Sequence, residues 1–424
     1  MSTVRETAYR VLVKCACAEQ YSNIALDTAL KRGDFSSADR GLLTALVYGT
    51  LERQLTLDYW IGALSARSLH TLDPETHVLL RMGLYQLAYL DRVPNHAAVN
   101  ETVALAPKRT RGFVNAVLRA FLRTQKTVAF PQKESDPIAY LSVRYSFLPQ
   151  ICKKFVSCYG LERTEALLAS FCEKPPLTLR VNTLKITRNA LLARFAEAGY
   201  HAVPTAESQA GISLSGAPVG ELPGFNEGLF FVQDEASQLC VEALDARAGM
   251  DVLDVCACPG SKSFGAAIDM QNRGRVVSCD LHANKLSLVK SGAERLGIDI
   301  LSTEARDARE SNPAWVGAFD RVLCDVPCSG FGVFAKKPEL RYKDPQTSAA
   351  LPDIQLAILQ NACTYVKSGG FLVYSTCTLL PEENGENVAR FLSSHSEFSL
   401  LRDRTLTPDI DGTDGFYVAV LQKL

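Results

Sequence analysis

The sequence predicts a multidomain protein: an all-α N-terminal domain, a small α+β middle segment, and a C-terminal α/β domain built on a mainly parallel sheet. Three observations carry that prediction. The first 130 residues place apolar side chains at three- and four-residue spacing, as in RGLLTALVYGTLE and THVLLRMGLYQLAYL, the period of helices with one buried face. From Gly228 onward the short apolar runs MDVLDVCA, GRVVSCD, DRVLCDVP and GGFLVYSTCT alternate with helix-length segments, the pattern of parallel strands covered on both sides. At 424 residues the chain also exceeds one typical core.

The elements follow in order. Asp73 and Pro74 supply an N-cap and a first-turn proline for the helix THVLLRMGLYQLAYL. The last N-terminal helix, GFVNAVLRAFLR, should bury Val114, Val117, Leu118 and Phe121, while Arg111, Arg119 and Arg123 recur at multiples of four on another side. From Lys108 to Lys126 there are six basic residues and no acidic one. Lys108, Arg109, Arg111, Arg119 and Arg123 are therefore candidate contacts to RNA phosphates, against the plainer reading of a solvated helix face. The polar TQKTVAFPQKESDP reads as a linker. Beyond it, helical stretches at Leu148 to Ser170 and Arg188 to Gly199 flank a strand-like LTLRVN. The expected domains are 1–130, 136–226 and 227–424.

Composition narrows the class. Hydrophobic residues make up 47% and charged residues 21%, as in ordinary globular chains. No apolar run approaches membrane-spanning length and the start, MSTVRETAYRVLVK, lacks the apolar core of a signal peptide, so a cytoplasmic protein without a membrane partner is expected. The 13 cysteines are odd in number and scattered through apolar segments, which argues against a disulfide framework. The pairs Cys15 and Cys17, Cys256 and Cys258, and Cys324 and Cys328 do not have zinc-ligand spacing, so no metal is expected. The net charge of -1 conceals an excess at the start, where residues 1–130 carry 16 Lys and Arg against 11 Asp and Glu. A modest positive N-terminal third suits a polyanion partner.

The α/β half offers a cofactor edge. VLDVCACPGSKS is a buried strand ending in a turn that opens onto a helix, and a glycine there lets backbone approach a ligand beside unpaired helix N–H groups. It is neither G-x-G-x-x-G nor a Walker A loop. The next strand, GRVVSCD, ends in Asp280, which can accept hydrogen bonds from ribose hydroxyls or cap the following helix. Asp307, in TEARDARE, can sit beside an adenine or be a surface charge. These strand ends favour a nucleoside cofactor without separating a dinucleotide from S-adenosylmethionine.

Two further strands, in FDRVLCDVPCSGFGV and GGFLVYSTCTLLPEEN, each run into a polar loop carrying a cysteine, which should bring both thiols to the ligand-binding edge. Cys324, inside its apolar run, is by contrast expected to be buried and inert. Asp325-Val326-Pro327-Cys328, Ser375-Thr376-Cys377 and the PGSK turn resemble the RNA 5-methylcytosine methyltransferases, and DGFYVAVLQK resembles their closing strand. The stretches YSNIALDTAL, DRGLLTALVYGTLE, RMGLYQLAYLDRVPNHAAVNETV and GFVNAVLR resemble the RNA-binding domain shared with the antitermination factor NusB. The combination, which spans almost the whole chain, is similar to the small-subunit ribosomal RNA methyltransferases that carry a NusB-like domain.

The resemblance implies a Rossmann-like class I methyltransferase domain, S-adenosylmethionine as cofactor and ribosomal RNA of the small subunit as partner; a monomer is expected. Carbon 5 of cytosine is a poor nucleophile, so a thiolate first adds to carbon 6. By resemblance that thiolate is Cys377, Asp325 supports N3 of the ring, and Cys328 helps the elimination that releases product. DNA cytosine methyltransferases use a Pro-Cys nucleophile, which would make Cys328 the attacker; the Thr376-Cys377 pair argues for the RNA arrangement. Also by resemblance, Cys256, Ala257, Cys258, Pro259, Gly260, Ser261, Lys262, Asp280, Asp307 and Asp325 line the cofactor pocket. Ser261 stands where the family usually has glycine, and Cys258 where alanine is usual, its thiol expected to be inert packing. A base inside a duplex could not reach either thiol, so the target is single-stranded or flipped. The alternatives are the same chemistry on transfer RNA or large-subunit RNA, and a non-catalytic RNA-binding assembly or antitermination factor.

Overall fold

The computed structural model describes residues 3–17, 22–65, 67–214 and 218–424. Two compact units emerge, Met1–Cys172 with Lys337–Pro345, and Glu173–Lys336 with Gln346–Leu424. No helix among the described residues is long and apolar enough to cross a membrane.

The first unit is helical: α1 (Val4–Cys17), α2 (Ser22–Arg32), α3 (Ser37–Glu52), α4 (Gln54–Leu64), α5 (Pro74–Tyr89), α6 (Asn95–Leu105), α7 (Arg111–Arg123), α8 (Pro137–Tyr145), α9 (Pro149–Tyr159) and α10 (Leu161–Ser170). Asp73 caps α5, its carboxylate accepting from the Thr76 amide at 2.9 Å, with Pro74 in the first turn. Helix α7 buries Val114, Val117, Leu118 and Phe121. Phe121 stacks on Trp60 with ring centroids 5.2 Å apart. The stretch read as a linker is not bare, since Phe130 packs on Trp60 and lies under the Arg144 guanidinium. Residues Leu148 to Ser170 form two helices, because Gly160 turns the chain at φ +76° between α9 and α10.

A short segment from far along the chain completes this unit. Arg341, almost fully buried, donates to the carbonyls of Phe171 at 2.6 Å and Glu52 at 3.1 Å, and its own carbonyl accepts from the Leu148 amide. Tyr342 donates its hydroxyl to the Leu51 carbonyl at 2.7 Å.

The second unit holds two sheets. Strands β1 (Leu177–Val181), β2 (Ala202–Pro204), β3 (Gly211–Leu214) and β4 (Phe230–Val232) form an antiparallel sheet in the order β2-β3-β1-β4, over a core with α11 (Arg188–Glu197) that contains Leu179, Val181, Leu191, Phe195 and Phe230. The larger sheet comprises β5 (Asp251–Asp254), β6 (Arg275–Asp280), β7 (Leu301–Ala305), β8 (Phe319–Asp325), β9 (Val366–Thr376), β10 (Phe398–Leu406) and β11 (Phe416–Lys423). Its order is β10-β11-β9-β8-β5-β6-β7, parallel from β7 to β9 and antiparallel through β11 and β10. Around it pack α12 (Glu235–Leu244), α13 (Ser261–Asp269), α14 (Leu286–Leu296), α15 (Leu351–Ala362) and α16 (Gly385–Leu392). This is the Rossmann-like arrangement. The strand order reverses beside β5, and such a switch opens a crevice at the carboxyl ends of β5 and β8.

Candidate active site

Each chemical group at that crevice is set by the end of a strand. At β5 the chain leaves the sheet through Val255 to Gly260, tied down by the Ala257 amide donating to the Cys279 carbonyl at 2.7 Å. The peptide bond between Cys258 and Pro259 is cis. Gly260 has φ +112°, and a Cβ there would lie 2.6 Å from the Phe264 ring, so glycine is required by the turn itself as well as by any approaching ligand. Ser261 is already the first residue of α13, outside the left-handed region. Its side chain therefore costs the turn nothing.

Asp254 braces this turn from behind, a residue the sequence reading missed. Its carboxylate, 1% exposed, accepts from Ser263 Oγ at 2.6 Å and from the Cys256 amide at 3.3 Å. Burial, reinforced by the nearby Asp325, raises its pKa to about 7 against the opposing pull of Ser263 and Lys262. An acidic residue closing a buried strand was the available signal.

One strand along, Asp280 ends β6 and accepts from the His282 amide at 2.9 Å, so it turns the chain as well as facing the edge. Cys258 lies against it. Burial, then the charge of Asp280 and a hydrogen bond to it, push the Cys258 thiol up to about 12, which makes this sulfur inert. Asp307 follows β7, where the Arg306 amide donates to the Asp280 carbonyl. The Asp307 carboxylate is held by the Arg309 guanidinium at 2.6 Å, and that bond draws its pKa down.

At the centre, Lys262 reaches from α13 to Asp325 at the end of β8, Nζ to Oδ2 being 2.6 Å, with the ring of Phe416 5.1 Å from the ammonium. Burial alone would drive the proton off Lys262; the attraction of Asp325 and of its other acidic neighbours outweighs that and raises its pKa. The second Asp325 oxygen accepts from Ser375 Oγ at 2.8 Å. This lysine and aspartate are an ion pair whose ammonium is buried and whose carboxylate is partly open to solvent.

The parallel pairing of β8 with β9 sets Asp325 opposite Ser375, so Cys328 and Cys377 emerge side by side just past the last paired residues. Their sulfurs are 2.8 Å apart, and the Cys377 amide donates to Cys328 Sγ at 3.2 Å. The Cys328 thiol is pushed well above its usual range, by the hydrogen bond to Cys377 first, then burial, then the charges of Cys377 and Glu383. The loop beyond is fixed by the Gly332 amide donating to the Cys377 carbonyl at 3.0 Å. A Cβ on Gly332 would lie 1.9 Å from the Gly415 carbonyl oxygen, so only glycine fits. Cys324 is fully buried one strand position earlier and its pKa is raised well above the usual value by burial.

Cys256 to Lys262, Asp280, Asp325, Cys328 and Cys377 therefore gather along one sheet edge. The five basic residues of the N-terminal stripe belong to the helical unit, where all are exposed. Three of them have local partners: Arg109 approaches Asp73 at 3.9 Å, Arg111 donates to the carbonyls of Ala104 and Ala106, and Arg119 donates to Asn115. Among the described residues no group of three or more His, Cys, Asp or Glu is placed to hold a metal ion.

Comparison with known proteins agrees with this architecture. Residues 241–422 match the family described as 16S rRNA methyltransferase RsmB/F, residues 2–123 match the NusB family, and residues 151–219 match the ferredoxin-like domain of RsmF/B-like methyltransferases. A probable ribosomal RNA small subunit methyltransferase B of Bacillus subtilis (strain 168) is 37% identical over all of this chain and 99% of its own length. A protein of the same description from Synechocystis sp. is 34% identical, with both chains covered in full. The crystal structure of PH0851 superposes with a TM-score of 0.82 over 98% of each chain at 24% identity, a likeness of fold. With its fold, its paired domains and full-length relatives in agreement, the chain belongs to the 16S rRNA methyltransferase RsmB/F family.

Proposed function

We propose that the chain transfers a methyl group to carbon 5 of a cytosine in small-subunit ribosomal RNA, through a covalent bond between Cys377 and carbon 6 of the ring. The observation that carries this reading is the pair of thiols 2.8 Å apart beside Asp325 at the edge where β8 and β9 end. One thiol alone would suit many reactions. Two, hydrogen-bonded to each other, suit addition to a pyrimidine followed by elimination.

The residues fit S-adenosylmethionine. The turn at Gly260 and the first N–H groups of α13 would receive its amino-acid end, Asp280 its ribose hydroxyls, and the Asp307 loop its adenine side. The cofactor supplies an electrophilic methyl group on a positively charged sulfur. Cys377, as a thiolate beside the Cys328 thiol, adds to carbon 6 and makes carbon 5 electron-rich. Lys262 and Asp325 face the same edge as one ion pair, so the ring nitrogen N3 and its neighbouring polar groups meet a donor and an acceptor already oriented. After transfer Cys328 receives the hydrogen of carbon 5, and Cys377 departs. The exposed basic stripe that leads into and runs along α7 holds RNA through its phosphates, with Lys108 and Arg123 the members least committed to neighbours.

Bisulfite sequencing of ribosomal RNA from cells with and without the gene tests the substrate. The expected result is loss of one small-subunit 5-methylcytosine when the gene is deleted, restored by the wild-type chain. An unchanged small-subunit pattern with a mark lost from transfer RNA or large-subunit RNA would move the activity to that RNA.

A further inference from the structure

The two-thiol mechanism leaves one proton without a holder. Cys328 enters the cycle as a thiol, yet it can take the hydrogen of carbon 5 only as a thiolate. Cys377 is then bonded to the ring and cannot relieve it. Asp325 is engaged by Lys262 on one oxygen and by Ser375 on the other.

Behind the Pro327 to Ser329 turn lies a carboxylate that no step has used. Glu383 closes the short helical turn Pro381–Glu383 after β9 and is 1% exposed. Its Oε2 accepts from the Ser329 amide at 3.0 Å and from Gln355 Nε2 at 2.7 Å. The same Gln355 nitrogen donates to the Pro327 carbonyl at 2.9 Å, and the Tyr374 hydroxyl donates to the Glu383 carbonyl at 2.6 Å. Glu383 is thereby pinned to the residues on both sides of Cys328. Its other oxygen, Oε1, is buried and accepts no hydrogen bond from any described residue. A buried carboxylate oxygen left open in this way is rare where only packing is at stake. Cys377 and Glu383 are the titratable groups that act on Cys328, and Tyr374, bonded to Glu383, is kept a phenol by burial.

Building on the two-thiol reading, we propose that Glu383 takes the Cys328 proton on Oε1 and so turns Cys328 into the base for product release. The S–H bond of Cys328 breaks as an O–H bond forms on Glu383. The Cys328 thiolate then removes hydrogen from carbon 5, the C–H electron pair becomes the double bond between carbons 5 and 6, and the bond from carbon 6 to Cys377 breaks with its pair returning to sulfur. Cys328 is again a thiol and Cys377 a thiolate. The proton left on Glu383 passes to solvent, which accounts for the one proton the methylation of a cytosine releases.

The test is rapid-quench single-turnover kinetics with RNA and labelled S-adenosylmethionine, following methylated adduct and free product separately. Glu383→Gln keeps the size and an acceptor for the Ser329 amide but cannot hold the proton. It is expected to slow release by about a hundredfold, the scale of a lost general base, and to slow methyl transfer far less, so that methylated adduct builds up. Glu383→Asp, still an acid, should recover part of the release rate; it also serves where the glutamine variant folds poorly. Release that keeps pace with methyl transfer in Glu383→Gln overturns the proposal, as does an aspartate variant no faster than the glutamine one. If Cys328→Ala traps an adduct and Glu383→Gln does not, this proposal alone falls; if Cys328→Ala traps none, the two-thiol reading falls with it.

Discussion

Cys377→Ser is expected to stop methyl transfer, with a loss on the order of 10⁴-fold or more, while S-adenosylmethionine still binds. Serine is nearly the size of cysteine and the backbone amide of residue 377 keeps its place, so the sheet edge should be undisturbed. What changes is the nucleophile. A hydroxyl is far less acidic than a thiol and stays protonated, and carbon 6 is attacked only by an anion of thiolate strength. Cofactor binding measured by calorimetry separates this outcome from misfolding, since the Gly260 turn and Asp280 do not depend on the sulfur. Transfer at near wild-type rate would remove Cys377 from the mechanism.

Cys328→Ala is expected to do the opposite, leaving bond formation and blocking release. The variant loses the thiol that lies 2.8 Å from Cys377 and the acceptor of the Cys377 amide, but not the Lys262 and Asp325 pair. One methyl should be transferred per chain, and the RNA should then remain attached through denaturing electrophoresis. Turnover beyond that first event should fall by roughly 10²- to 10⁴-fold, the range for loss of a general acid or base. Adduct formed by Cys377→Ala instead would make Cys328 the attacking sulfur, the arrangement of the DNA enzymes.

Much of this site was legible because it sits where strands end. An apolar run followed by a polar loop announces the carboxyl edge of a parallel sheet, which is why the turn at Gly260, Asp280, Cys328 and Cys377 could be gathered from sequence. Pairings across the chain were not legible. Nothing local in Lys262 or Asp325 announces a bond spanning 63 residues, and Ser375 reads as an ordinary strand residue. Asp254 and Glu383 were passed over for a related reason: each acts from behind the turn it supports, through backbone amides and neutral side chains that carry no motif. Strand β10 was missed because most of its residues are exposed at the sheet's edge, which leaves no apolar alternation to read. The segment Lys337–Pro345 fell inside the expected domain 227–424; its place in the helical unit depends on one buried arginine whose partners, Glu52 and Phe171, lie far away in sequence.

The most direct measurement is the site of attachment in a trapped complex. RNA carrying 5-fluorocytosine at the target position offers no hydrogen to remove after methylation, so the wild-type chain should stay bound to the ring. Tryptic digestion and mass spectrometry would then separate the fragment of residues 368–390, which contains Cys377, from that of residues 322–336, which contains Cys324 and Cys328. The account predicts the methylated, fluorinated pyrimidine on Cys377. The same mass on Cys328, or methylation of the base with no adduct on either fragment, would contradict it.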